Sequence, residues 1–100
     1  MIYEIEYRPR ADKDIDKIID YIRDDLSAPI AAERFFKGLF DKIEQLRLNA
    51  HIFAKSTYKD ILKYDINARH LIYKGFVIIY SIHDKWVVIH RIIHGSLIKN

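Results

Sequence analysis

The residues best suited to chemistry lie in the second half of the chain. Lys55, Lys59, Lys63, Arg69, Arg91 and His94 supply cations and one titratable base, and Tyr80 sits on an apolar run among them. Cleaving RNA without a metal takes a base beside the 2′-hydroxyl, cations beside the phosphate, and an acid for the leaving oxygen. Arg69, Arg91 and His94 are the candidates for that work. A binding role needs less. Lys55, Lys59 and Lys63 recur every four residues with Tyr58 and Tyr64 interleaved. On a helix that spacing makes a strip able to meet phosphates and stack on bases. Lys55, Lys59, Lys63, Arg69, Tyr80, Arg91 and His94 are therefore the candidate contacts for a partner or a nucleic acid.

Other chemistries lack their parts. Ser56, Thr57, Ser81 and Ser96 have no Gly-x-Ser-x-Gly elbow around them. With no cysteine in the chain, disulfides and thiolate chemistry are excluded. His90 and His94 are four apart, which on a regular strand places them on one face. Two histidines with no cysteine and no helical His-Glu-x-x-His pair do not make a zinc site. No metal and no cofactor are expected.

Charge is divided unevenly. Residues 1–50 hold 9 Lys+Arg against 11 Asp+Glu, and residues 51–100 hold 8 against 3; all five histidines are in the second half. A concentrated positive charge suits an anionic partner. No window approaches the roughly 20 apolar residues that span a bilayer. The N-terminal stretch has no basic start followed by an apolar core and a small-residue cleavage site. The expectation is a cytoplasmic protein without membrane contact, built as one domain over residues 1–100.

The elements that must position these residues follow from periodicity. Tyr3, Ile5 and Tyr7 alternate with Glu4 and Glu6, the pattern of a half-buried strand. Ile15, Ile18, Ile19, Ile22 and Leu26 mark one face of a helix that opens near Pro9. After a break at Ser27–Pro29, with Ser27 or Ala28 as cap, a second helix carries Ala32, Phe36, Leu39, Ile43 and Leu46, widened by Phe35 and Phe40. Residues 49–65 read mostly as loop with a short helical turn. Three β-rich runs follow, "INARHLIY", "FVIIYSI" and "WVVIHRII", separated by short turns, as in an antiparallel meander. The middle run is almost wholly apolar, as a strand covered on both faces should be. The expected fold class is α+β in the order β-α-α-β-β-β, with an antiparallel helical hairpin packed on an antiparallel sheet. Tyr3, Tyr7, Tyr73, Tyr80 and Trp86 exceed what so small a core needs, which points to an aromatic interaction face.

Three stretches, "YEIEYRPRADKDIDKIIDYI", "PIAAERFFKGLFDKIEQL" and "ARHLIYKGFVIIYSIHDKWVVIHRIIHG", resemble the RelE/ParE superfamily, the toxins of type II toxin–antitoxin modules. The resemblance rests on Ala11 and Asp14, Tyr21-Ile22, Arg69, Tyr80 and the closing Arg91–Gly95 segment, and its closing segment is more similar to the ParE-like branch. It implies the same β-α-α-β-β-β fold and a growth inhibitor neutralised by a cognate antitoxin. ParE-like members poison DNA gyrase. RelE-like members enter the ribosome and cut mRNA, usually with one Arg where this chain has Val77 and another where it has Ser96-Leu97. Losing one phosphate-facing cation typically costs ~3 kcal/mol of transition-state stabilisation. The resemblance therefore implies a gyrase poison, with a ribosome-dependent mRNA endonuclease and a non-toxic antitoxin-binding relative as alternatives.

Overall fold

The computed structural model describes residues 2–99. Strand β1 (Glu4–Tyr7) leads into α1 (Pro9–Asp20), which runs on as a π-helical turn, Tyr21–Asp25. Helix α2 (Pro29–Glu44) is followed by the single turns α3 (Leu46–Asn49) and α4 (Lys59–Leu62). Strands β2 (Arg69–Tyr73), β3 (Phe76–His83) and β4 (Trp86–His94) complete the fold. The sheet order is β1-β4-β3-β2. The β2-β3 and β3-β4 pairs are antiparallel, as expected, and β1 adds to β4 in parallel.

Proline at the first position starts both long helices, where its missing N–H costs nothing. Ala28 is the N-cap of α2 and makes no side-chain bond, while Ser27 takes a left-handed conformation at φ 49°. Lys74 and Gly75 both have positive φ, the two-residue turn that matches strand twist and fixes the β2-β3 register.

Helices and sheet share one core. Ala11, Phe35, Leu39, Ile43 and Leu46 meet Leu71, Ile78, Tyr80, Val87, Ile89 and Ile92, with Ile15, Ile18, Ile19 and Ile22 packed alongside. A smaller cluster on the opposite face joins Ile61, Ala68, Val77 and Ile79 under Tyr64, Ile93 and Ile98. Strand β3 thus points Ile78 and Tyr80 one way and Val77 and Ile79 the other, which explains its unbroken apolar run.

Two positions depart from the helical stripes. Leu26 is exposed. Its N–H bonds to Tyr21 C=O at 3.0 Å, an i→i+5 bond that widens the turn and rotates Leu26 off the stripe. On α2 it is Phe35 that is buried, while Phe36 lies outside and stacks on Phe40 with ring centroids 6.3 Å apart. The apolar face centres on Ala32, Phe35, Leu39 and Ile43.

Gly38 is the close approach between α2 and β2. A Cβ placed there would stand 2.0 Å from the Tyr73 hydroxyl. Alanine should gain about 1 kcal/mol of helix propensity. Displacing Tyr73 from between Gly38 and Phe35 should cost more, about 1–3 kcal/mol. We expect Gly38→Ala to lower the urea midpoint and Tyr73→Phe in the same background to recover part of it.

Candidate functional site

The sequence candidates do not converge on one centre. Arg91 points a fork at Asp14 on α1, with Nε–Oδ2 at 2.7 Å and Nη2–Oδ1 at 3.0 Å, and its Nη1 donates to the Tyr64 hydroxyl. The Ile92 N–H donates to the same Asp14 carboxylate at 2.9 Å. Strand β1 has no partner in β4 beyond Tyr7↔Ile89, so Asp14 takes over an edge that β1 no longer covers. The hydrogen bonds to Asp14 push the Arg91 pKa up, so the guanidinium is permanently charged. Arg91 is a clamp between α1 and β4.

Arg69 donates to the carbonyls of His51 and Phe53, holding the loop after α3. Tyr80 has no exposure, and its hydroxyl donates to Ala50 C=O at 2.6 Å. Burial raises its pKa strongly. Tyr80 presents no surface to a partner. Of the other surplus aromatics, Tyr3, Tyr7 and Tyr73 pack on the core, and Trp86 is exposed.

The lysine strip does not form. Lys59 and Lys63 share one turn at α4, but Lys55 lies in a β-bridge opposite Arg69. Asp60 sits 3.8 Å from the Lys63 ammonium. His94 is exposed; its Nδ1 accepts from Ser96 N–H and lies 2.8 Å from Ser96 Oγ, closing the turn Gly95–Leu97. His94 stands edge-on to Phe76, on the helix side of the sheet, whereas Arg91 faces Tyr64 on the other side. The two cannot act on one atom.

A β-bulge organises that other side. Ile79 pairs with Arg91 and Tyr80 with Ile89, leaving His90 without an opposite residue. The extra residue turns His90 toward Tyr64, with ring centroids 6.5 Å apart, and away from the face that His94 shares with Phe76. The same-face histidine pair expected from spacing is therefore absent. Among the described residues no group of three metal-ligating side chains is found.

What the bulge assembles instead is a polar cleft of about 460 Å³, walled by Tyr64 and Trp86 and lined by Glu6, Arg8, Asp65, His83 and His90. Beneath it lies Ser81, fully buried. Its hydroxyl is 2.8 Å from His90 Nε2 and 2.9 Å from His83 Nε2, and His83 Nε2 is 2.9 Å from Asp65 Oδ2. The carboxylate and the serine meet the same imidazole nitrogen. A nucleophile relay needs them on opposite nitrogens, and a buried serine reaches no substrate. The cleft mixes Glu6 and Asp65 with Arg8, so its charge is balanced and does not suit a phosphate. Sequence periodicity missed it because its residues come from β1, the α4–β2 loop, β3 and a bulge.

Two partly buried imidazoles, His90 in this cluster and His70 on β2, should make stability depend on pH. Burial, helped by Arg8 and His83, pulls the His90 pKa down against the opposing pull of Asp65 and Glu6, and burial alone lowers that of His70. An imidazole whose folded pKa lies below its ordinary 6.5 binds its proton more readily in the unfolded chain. Its contribution to stability is present above that value and is lost as pH falls below it. We expect the melting temperature to drop from pH 7 to pH 5, with a shallower drop in a His70→Gln/His90→Gln variant. An unchanged slope in that variant would assign the effect elsewhere.

A second cleft, of about 470 Å³, runs between α1 and α2 and is lined by Tyr7, Ile15, Phe36 and Phe40 with Asp12 and Asp16 at its rim. The Tyr7 hydroxyl lies buried there and meets no partner among the described residues, and burial pushes its pKa up to about 12.

A family model described as ParE toxin of type II toxin–antitoxin system, parDE, matches residues 5–98. The chain belongs to the ParE toxin family. A chain of the chromosomal ParDE toxin–antitoxin system from P. aeruginosa superposes with TM-score 0.77 at 19% identity, covering 93% of this chain and 96% of that one. A chain of the toxin–antitoxin complex RelBE2 from Mycobacterium tuberculosis superposes with TM-score 0.59 at 16% identity, covering 94% and 99%. At these identities the two structures establish the shared ParE/RelE fold. No curated protein matches the sequence. Within the ParE family frame, Ala11 is the contact that lets α1 lie against the core, and Asp14 and Arg91 lock it there.

Proposed function

We propose that this ParE-family chain is a growth inhibitor that acts in the cytoplasm by binding DNA gyrase, and that a cognate antitoxin neutralises it. The observation that carries the reading is the internal use of the strand arginines. Arg91 is held by Asp14 and Arg69 by two backbone carbonyls. Neither is free to offset charge on a phosphate in flight, and Val77 and Ser96-Leu97 add no cation. A poison that works by binding needs a shaped surface, and the bulge-built cleft with Tyr64 and Trp86 supplies one. The apolar α1–α2 cleft with exposed Phe36 and Phe40 and an acidic rim suits an amphipathic helix of the antitoxin.

The competing reading is a ribosome-dependent mRNA endonuclease, the alternative that the RelE-like relatives of the fold raise. Controlled expression separates the two. The gyrase reading predicts that DNA synthesis stops first, with filamentation and a DNA-damage response, and that co-expressing the antitoxin restores growth. Early arrest of protein synthesis with cut mRNA would assign the chain to the nuclease reading.

A further inference from the structure

Arg8, Arg23, Arg47 and Arg91 each pair with a carboxylate. Arg10 and Arg34 are exposed to water. Arg69 has neither answer to its charge. It is half-buried, and it pairs with no carboxylate among the described residues. A charge withdrawn from water is normally met by an opposite one. The fork shows which part is open. Arg91 grips Asp14 with Nε and Nη2. Arg69 commits Nη1 to the carbonyls of His51 and Phe53. Its Nε and Nη2, the edge that Arg91 turns on a carboxylate, meet no acceptor among the described residues.

Arg69 lines a pocket of about 310 Å³ at the start of β2, with Tyr3, His51, Lys55, Asn67 and Ile82. Lys55 stands opposite Arg69 in an antiparallel bridge, and residues so placed project to the same face. Like charges directly opposite repel, and an anion between them removes that cost. No carboxylate lines the pocket. Asp65, two residues before Asn67, is engaged elsewhere, taking the Asn67 N–H on Oδ1 and lying against His83 with Oδ2. Tyr3, His51 and Asn67 add side chains able to donate hydrogen bonds.

We propose that this pocket binds a phosphate monoester, with the Nε–Nη2 edge of Arg69 taking two of its oxygens and Lys55 a third. Such a group carries close to two negative charges at neutral pH and so matches two cations, where a carboxylate answers one. The planar fork fits phosphate oxygens in a two-armed contact. The volume stands at the lower end of the roughly 300–1,000 Å³ of small-ligand sites, with room beyond the phosphate for an attached group. Fixed by its carbonyl bonds, Arg69 suits a phosphate held at rest and not one in transfer. Nothing in this site depends on gyrase being the target.

The full chain is titrated at constant ionic strength with inorganic phosphate, adenosine monophosphate and adenosine, and its backbone amide resonances are followed by NMR. Phosphate and the monophosphate should both move the Lys55, Asn67 and Arg69 signals, and adenosine should not. Tighter binding of the monophosphate makes the ligand a nucleotide; equal affinity makes it phosphate itself. Lys55→Ala and Asn67→Asp should each weaken phosphate about tenfold. Their melting temperatures should not change, since both side chains are exposed. Lys63→Ala, outside the pocket, should leave the affinity as it was. Absence of phosphate binding, adenosine binding as tightly as its monophosphate, or a loss in Lys63→Ala equal to that in Lys55→Ala overturns the proposal.

Discussion

Asp14→Ala should destabilise the chain by about 2–4 kcal/mol, somewhat below the cost of removing one partner from a fully buried ion pair, because this pair is partly buried. Domains of this size hold only about 5–15 kcal/mol in total. The Asp14 carboxylate accepts both arms of the Arg91 fork and the Ile92 N–H. The side chains of Arg91 and Asp14 are 17% and 12% exposed, so water replaces little of what is lost. Arg91 would keep only its bond to the Tyr64 hydroxyl. Arg91→Ala should cost a similar amount, and Arg91→Lys should be only a partial repair, because an ammonium cannot reproduce the two-armed contact. Replacing both residues by leucine removes the uncompensated charge, and it should cost less than the two single alanine losses together. Urea denaturation of the four variants checks this. Loss of toxicity in Arg91→Ala should follow the unfolded fraction and diminish on cooling or in a stabilising osmolyte. An Arg91→Ala protein that is fully folded yet inert would make Arg91 a contact residue instead.

Tyr80→Ala should be the other severe change, costing about 3–5 kcal/mol for an aromatic removed from a closed core. Tyr80→Phe isolates the hydroxyl. It leaves Ala50 C=O without its 2.6 Å donor and should cost about 1–3 kcal/mol. The loss should appear first in the segment after α2, because Ala50 lies in the turn Ala50–Ile52 that Arg69 also braces. Hydrogen exchange at residues 46–54 would rise ahead of global unfolding. Full stability in Tyr80→Phe combined with lost toxicity would contradict the buried role.

Burial was legible in the sequence, and pairing between distant residues was not. Alternation at Tyr3, Ile5 and Tyr7, the isoleucine stripe of α1 and the unbroken β3 run each encode burial directly, and the element order follows from them. Asp14 and Arg91 were each conspicuous, but they stand 77 residues apart, and periodicity carries no information about which carboxylate a strand arginine meets. An arginine on an apolar strand therefore read as a reactive edge, and its ion pair with Asp14 was not legible. Strand β1 shows its inward face but not its neighbour, so its parallel seat beside β4 was not legible. Nor was the bulge, because one extra residue changes no local preference yet turns His90 onto Tyr64. Leu26 left its stripe for the same kind of reason, a turn widened by one residue.

The proposed mode of action is that this ParE-family chain occupies a protein surface and does not cut RNA. The most direct measurement incubates the purified chain with gyrase, ATP and supercoiled plasmid, adds detergent and protease, and resolves the DNA. A gyrase poison should yield linearised plasmid that rises with toxin concentration and disappears when the antitoxin is added first. Plasmid left intact at saturating toxin, with mRNA cut on programmed ribosomes by the same preparation, would contradict it.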